Sequence, residues 1–201
     1  MDYRLEQWIN GQAGTNAVLD ASTKWIAGWG EDAFIGIVVV WFLIGWIRGS
    51  ARDRQGAITA LIGAGAALLA NQIIIQVWTR PRPFVAHPDT VNVLLSHSAD
   101  PSFPSDHASP AFAIALVLVA FHRKLGALAL LLAILISYSR VYVGDHYPGD
   151  VAAGAVVGAV VAFVLLTWLD STMIALGRLT DRVMTILHLP MRSQTGERRI
   201  Q

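Results

Sequence analysis

The chain contains no cysteine, which excludes disulfides, Cys-ligated zinc, iron–sulfur clusters and thiol catalysis. Charge is also scarce. Asp, Glu, Lys and Arg make up 14% of the 201 residues, against about 25% in a soluble domain, so much of the surface must face lipid. The charges that are present nearly cancel: 15 basic and 14 acidic residues leave a net charge of +1, which excludes the electropositive footprint of a nucleic-acid binder. Lysine is missing from the whole stretch between Lys24 and Lys124. The first thirty residues carry Asp2 and Glu6 and no continuous apolar core, unlike a secretory leader, so membrane insertion is expected to rely on internal spans.

In place of charge there are apolar runs, and 54% of the residues are hydrophobic. The runs cover 33–47, 57–78, 108–121, 125–143 and 151–169. A spanning helix needs roughly 20 residues; the second, fourth and fifth runs reach that length, and the first and third must borrow from their flanks. The expected fold is therefore all-α, a polytopic membrane helix bundle with five to six transmembrane helices. Trp25, Trp29, Trp41, Trp46, Trp78 and Trp168 gather near the run ends, as interfacial tryptophans do. Gly154 and Gly158 have the spacing that lets helices approach closely in lipid, with packing inside the bundle favoured over a dimer interface. Residues 2–28 and 172–189 mix apolar and polar positions and are expected to lie on the membrane as amphipathic end helices, with a sixth span at 172–189 the alternative. Residues 1–190 are read as one membrane-embedded domain and 191–201 as a polar cytoplasmic tail.

Arg48, Arg52 and Arg54 follow the first run, Arg123 and Lys124 the third, and Arg178, Arg182, Arg192, Arg198 and Arg199 the fifth. With five spans these segments share one side, which the positive-inside rule makes cytoplasmic. The loops 79–107 and 144–150 then lie outside.

Those two loops hold most of the reactive side chains. The first begins Thr79-Arg80-Pro81-Arg82-Pro83 and closes with Pro104-Ser105-Asp106-His107, and the second runs from Ser139-Arg140 to His146 and Asp150. Phosphoryl transfer asks the protein for cations and N–H donors around the equatorial oxygens. Arg82 and Arg140 can fork onto phosphate oxygens. Ser105 stands where a helix starts, a natural anion site. A histidine oriented by a carboxylate can act as nucleophile, and His146 and Asp150 are four apart, the spacing of one helical face. His107 can then serve as general acid. Taken singly, a histidine, an Arg-Pro pair or an N-terminal Asp each has an ordinary role in hydrogen bonding, turns or capping; the joint spacing is what points to chemistry.

Pro104-Ser105-Asp106-His107 resembles the Pro-Ser-Gly-His motif of the type 2 phosphatidic acid phosphatases. Ser139-Arg140, His146 and Asp150 match that family's third motif without a gap, and Arg82-Pro83 matches the end of its first. The string Ser102-Phe103-Pro104-Ser105-Asp106-His107-Ala108, with Ile9-Asn10-Gly11 and Leu19-Asp20, is similar to the bacterial undecaprenyl-pyrophosphate phosphatases of the bacitracin-resistance type. The resemblance implies a metal-independent lipid phosphatase without a cofactor, working through a phosphohistidine. It implies His146 as nucleophile, Asp150 as its partner and His107 as acid, with Arg82, Ser105, Asp106 and Arg140 around the phosphate. The implied substrate is a polyprenyl pyrophosphate, met at the outer face of a bacterial cytoplasmic membrane. Phosphatidic acid or phosphatidylglycerol phosphate is the alternative substrate, and a non-catalytic lipid-binding or transport relative is the alternative class. One departure stands out. The family's first motif opens with a Lys seven residues before its Arg, where this chain has Ile75, or Ile73 counting from Arg80. Arg80 is the expected substitute, with Gln72 or Gln76 as neutral donors.

Overall fold

The structure, a computed structural model, describes residues 1–186. Helix α1 (Asp2–Asn10) is followed by α2 (Ala17–Ile47), α3 (Ala51–Ile74), the single turn α4 (Pro83–Ala86), α5 (Ala108–Phe121), α6 (Arg123–Tyr142), α7 (Pro148–Thr167) and α8 (Asp170–Ile186). No strand occurs among the described residues. Helices α2, α3, α6 and α7 are long and apolar enough to cross a membrane, and α5 is a shorter apolar helix among them. The chain is a multi-pass membrane protein.

Helix α5 is the axis of the bundle. Its 14 residues span about 21 Å, less than the roughly 30 Å hydrocarbon core, but α3, α6 and α7 all pack on it. Its buried face is built from small residues, Ala108, Ser109, Ala111, Ala113 and Ala115, which let neighbours come close. Gly154 and Gly158 of α7 use that closeness. A β-carbon at Gly158 would meet the Ser109 carbonyl oxygen at 2.4 Å, and one at Gly154 would meet the Ser105 oxygen at 2.9 Å. Their spacing therefore serves packing within one chain.

The two ends differ from expectation in one respect. Residues 2–28 do not form a single surface segment. The Asn16 side chain accepts from the N–H groups of Val18 and Leu19, capping a new helix, and α2 then continues without a break for 31 residues. At about 46 Å it is longer than the hydrocarbon core, so its first turns project toward the functional loops. Helix α8 keeps the amphipathic character expected of 172–189. It buries Met173 and Gly177 and exposes Leu179, Val183 and Ile186. It docks on the start of α3, where Arg54 Nε meets Asp181 Oδ1 at 2.7 Å. Residues 187–189, the boundary at 190 and the polar tail lie outside the described residues.

The chain direction puts the starts of α2, α5 and α7 and the ends of α3 and α6 at one end of the bundle. Arg48, Arg52, Arg54, Arg123 and Lys124 fall at the opposite end.

Candidate active site

Helix starts and ends bring the loop residues together around His146. Its ring is fully buried. Nδ1 lies 2.9 Å from the carbonyl oxygen of Ser102, and a carbonyl can only accept, so Nδ1 carries the hydrogen. The opposite nitrogen, Nε2, faces Arg82 Nη1 at 3.1 Å. A guanidinium can only donate, which leaves a lone pair on Nε2 in the neutral ring. That pairing leaves Nε2 the ring atom able to act as a nucleophile.

Two arginines frame it, and both are buried. Arg82 Nη1 also bonds Asp145 Oδ1 at 3.0 Å, while Nε bonds the carbonyl and carboxylate of Asp100. Arg140 Nη2 bonds Asp145 Oδ2, and Nη1 bonds the Ala27 carbonyl of α2 at 3.0 Å. Asp145 is thus the shared counter-anion. It holds the two forks in register, at the cost of desolvating three charges. Two donors remain: Arg82 Nη2 and Arg140 Nε are buried with no partner among the described residues. An unmet buried donor is costly, and a bound oxyanion beside His146 is the natural acceptor for both.

Ser105 is buried and its Oγ accepts from Ala108 N–H at 3.3 Å, capping α5. Its own N–H bonds the Asp150 carbonyl, which ties the first loop to the second. As an acceptor in the cap, the hydroxyl keeps its hydrogen free to donate to an anion.

His107 sits at the start of α5 with Nδ1 2.9 Å from Asp106 Oδ1 and Nε2 3.6 Å from Glu31 Oε2. The His107 and His146 rings are 6.3 Å apart, room for a group in transfer between them. Asp106 Oδ1 also lies 3.6 Å from His146 Nε2. Burial would push the Asp106 carboxyl up, but hydrogen bonds and charge from His107 and His146 outweigh it and hold it well below the usual carboxylate range. Burial would likewise lower the His146 imidazole; Asp106, Asp150 and the Asp145 charge overcome that and raise it, against Arg82.

Three expected roles change. Asp150 does not supply the hydrogen bond that orients His146: its Oδ2 is 3.8 Å from Nδ1, and the Ser102 carbonyl takes that place. His146 precedes α7, so the four-residue spacing does not place the pair on a helical face. Asp150 instead accepts from Tyr147 N–H at 2.9 Å as a first-turn cap, and pairs with Arg80 at 3.0 Å. Arg80 is therefore held by acidic partners. Its Nη1 is shared between Asp150 and Asp2, the latter at 2.6 Å, and its guanidinium lies 3.6 Å over the Tyr147 ring. Asp106, expected among the phosphate-holding residues, presents a carboxylate to both histidines, and an anion there repels phosphate oxygens.

Sequence reasoning missed Asp145, Asp100, Glu31 and the carbonyls of Ser102 and Ala27. Asp145 had a signal: two arginines taken out of water need a counter-charge, and it adjoins His146. The backbone carbonyls had none, because any residue supplies one.

Asp106, His107 and His146 each offer a ligand atom within 4.8 Å of the others, a grouping able to hold a divalent ion. Arg82 Nη1 already donates to the His146 nitrogen that such an ion would need, so the cluster fits a metal poorly.

Residues 56–174 match the model of the PAP2 superfamily. The chain is 36% identical over 170 residues to the undecaprenyl-diphosphatase BcrC of Bacillus subtilis (strain 168), covering 85% of each chain. Among solved structures, the crystal structure of Aquifex aeolicus LpxE superposes with a TM-score of 0.65 at 26% identity, over 82% of this chain and 94% of that one. The first transmembrane PAP2-type phosphatidylglycerolphosphate phosphatase from Bacillus subtilis shares the fold, with a TM-score of 0.64 at 23% identity over 84% and 86%. A matched domain that begins in α3, takes in both loops and ends in α8 covers every residue described in the site except Asp2, Ala27 and Glu31, and with it the chain belongs to the PAP2 superfamily.

Proposed function

We propose that the chain hydrolyses a polyprenyl diphosphate, with undecaprenyl diphosphate the leading candidate, to the lipid monophosphate and inorganic phosphate. The observation that carries this reading is the state of His146: one nitrogen held by a backbone carbonyl, the other facing Arg82 beside two buried, unpartnered guanidinium donors. The name of the Bacillus subtilis relative supports the choice of lipid.

In the first step the His146 Nε2 lone pair attacks the terminal phosphorus. The bond to the bridging oxygen breaks, and His107 gives its proton to the departing lipid monophosphate. Arg82, Arg140 and Ser105 take up charge on the equatorial oxygens, where fixed donors act most strongly. In the second step water attacks the phosphohistidine, His107 accepts its proton, and phosphate leaves with His146 restored. No metal ion is required.

The charge bias supports an outward-facing site. The cluster of Arg48, Arg52, Arg54, Arg123 and Lys124 lies at the end of the bundle away from His146, and such clusters stay cytoplasmic. The product would then be a carrier lipid monophosphate at the outer leaflet.

The test is phosphate release from a panel of lipids in detergent: polyprenyl diphosphate, phosphatidic acid and phosphatidylglycerol phosphate. The diphosphate should be turned over fastest, His146→Ala should be inactive, and EDTA should change nothing. A label trapped on the wild type but not on His146→Ala would identify the intermediate. Preference for phosphatidic acid would overturn the lipid assignment, and strict dependence on added Mg²⁺ would overturn the mechanism.

A further inference from the structure

In-line attack needs the phosphorus about 3–3.5 Å from the nucleophilic atom. Asp106 Oδ1 is 3.6 Å from His146 Nε2, so a carboxylate oxygen stands where a phosphoryl group has to come. It lies beside the nitrogen that also faces Arg82, and its charge acts on Arg140 as well. His107 Nδ1, 2.9 Å away, keeps it there. His146 and His107 therefore already have an anion next to them.

We infer that Asp106 is a built-in competitor for phosphate: it neutralises the resting site and weakens the hold on a free oxyanion. This rests on the proposed function and adds a determinant of affinity to it. Two like charges about 4 Å apart repel substantially even when protein and water screen them. Inorganic phosphate has only its oxygens to offer against that repulsion. A lipid substrate has the burial of its tail as well, and binding energy from that remote part can displace the carboxylate. The site so built discriminates against the released product and against small soluble phosphate esters, and favours a phosphate that arrives on a lipid. The carboxylate is 39% exposed, so it has room to swing aside when a substrate enters.

The experiment measures inhibition of lipid diphosphate hydrolysis by inorganic phosphate and by vanadate, in the wild type, Asp106→Asn and Asp106→Gly. Both variants should bind each anion at least about tenfold more tightly, the scale expected when one like charge is removed at that range. The Michaelis constant for the lipid should fall along with these constants, and release of phosphate should slow. Inhibition constants that stay unchanged or rise in both variants would overturn the proposal. Where a variant has lost turnover, phosphate binding followed by ³¹P NMR line broadening on the purified protein makes the same comparison. Failure of the wild type to hydrolyse any lipid phosphate would strike the proposed function instead, while the binding comparison would still decide the role of Asp106.

Discussion

Arg82 and Asp145 form an ion pair at 3.0 Å with both side chains sealed from solvent. Removing one member of such a pair leaves an uncompensated buried charge, at a cost of about 3–5 kcal/mol. Asp145→Ala should therefore lower thermal stability in detergent by that order and release Arg82 and Arg140 from their shared acceptor. Its turnover should fall by at least about 100-fold, comparable to losing one oxyanion donor. Asp145→Asn, which keeps an acceptor, should recover more of the stability than of the activity. Thermal unfolding read beside phosphate release separates the two effects.

Arg80 and Arg82 stand two residues apart and should respond differently. Arg82→Ala removes the donor that faces Nε2 and should reduce kcat by about 100- to 1000-fold. Arg80→Ala loosens Asp2 and Asp150 and leaves the phosphate donors in place, so its loss should stay well below that of Arg82→Ala and fall on stability as well. Because Arg80 and Asp2 act through one contact, Arg80→Ala with Asp2→Ala should cost clearly less than the sum of the two single changes. A double-mutant cycle on activity checks this; additive effects would mean that Arg80 works alone.

Glu6 of α1 is fully buried and neither carboxylate oxygen has a hydrogen-bond partner among the described residues. Burial, aided by the charge of Asp2, pushes it up to about 7. A carboxyl raised above its unfolded value favours the folded state at low pH. The docking of α1 should therefore be firmest below about 4.5, weaken as pH rises from there to about 7, and stay weakened above. Glu6→Gln should remove that slope. The check is the difference in unfolding temperature between wild type and variant at about pH 5 and about pH 8, on either side of the shifted carboxyl; it should be larger at the higher pH and in favour of the variant.

Gly158 admits no side chain, because a β-carbon would meet the Ser109 oxygen at 2.4 Å. Gly158→Ala should push α7 off α5 and cost about 1–3 kcal/mol. It should also lower activity at temperatures where the protein is still folded, since α7 begins at the loop that carries His146. Gly65, which has open space around it, is the control position: Gly65→Ala should leave both readings near the wild type. Equal effects at the two glycines would mean that packing on α5 is not what matters at Gly158.

The membrane fold was legible in the apolar runs because lipid demands long uninterrupted segments, and each of the five runs follows a helix for most of its length. The start of α2 was not, although Asn16 is a strong cap. Asp20, Lys24, Glu31 and Asp32 interrupt the apolar pattern there, and Gly28 and Gly30 look like breaks where the helix runs through. Around the site, the spacing from Arg140 to Asp150 was enough to gather Arg140, His146 and Asp150 at one corner, where α6 ends and α7 begins, since they are close in sequence. The pairing of Arg80 was not legible because its partner Asp2 is 78 positions away, a distance over which no local pattern reports. The counter-anion Asp145 could have been reached by charge accounting alone. The acceptor that orients His146 could not, since it is a peptide group.

A peptide acceptor gives His146 a particular resistance to change. The Ser102 carbonyl has no titration in the working range and belongs to the peptide itself, so a point mutation at that position cannot delete it. Only a shift in the path of the main chain can undo it, through an insertion, a deletion or a backbone-restricting replacement in the loop before Ser105. Engineering of this enzyme should therefore find the orientation of His146 intolerant of changes in the length of that loop.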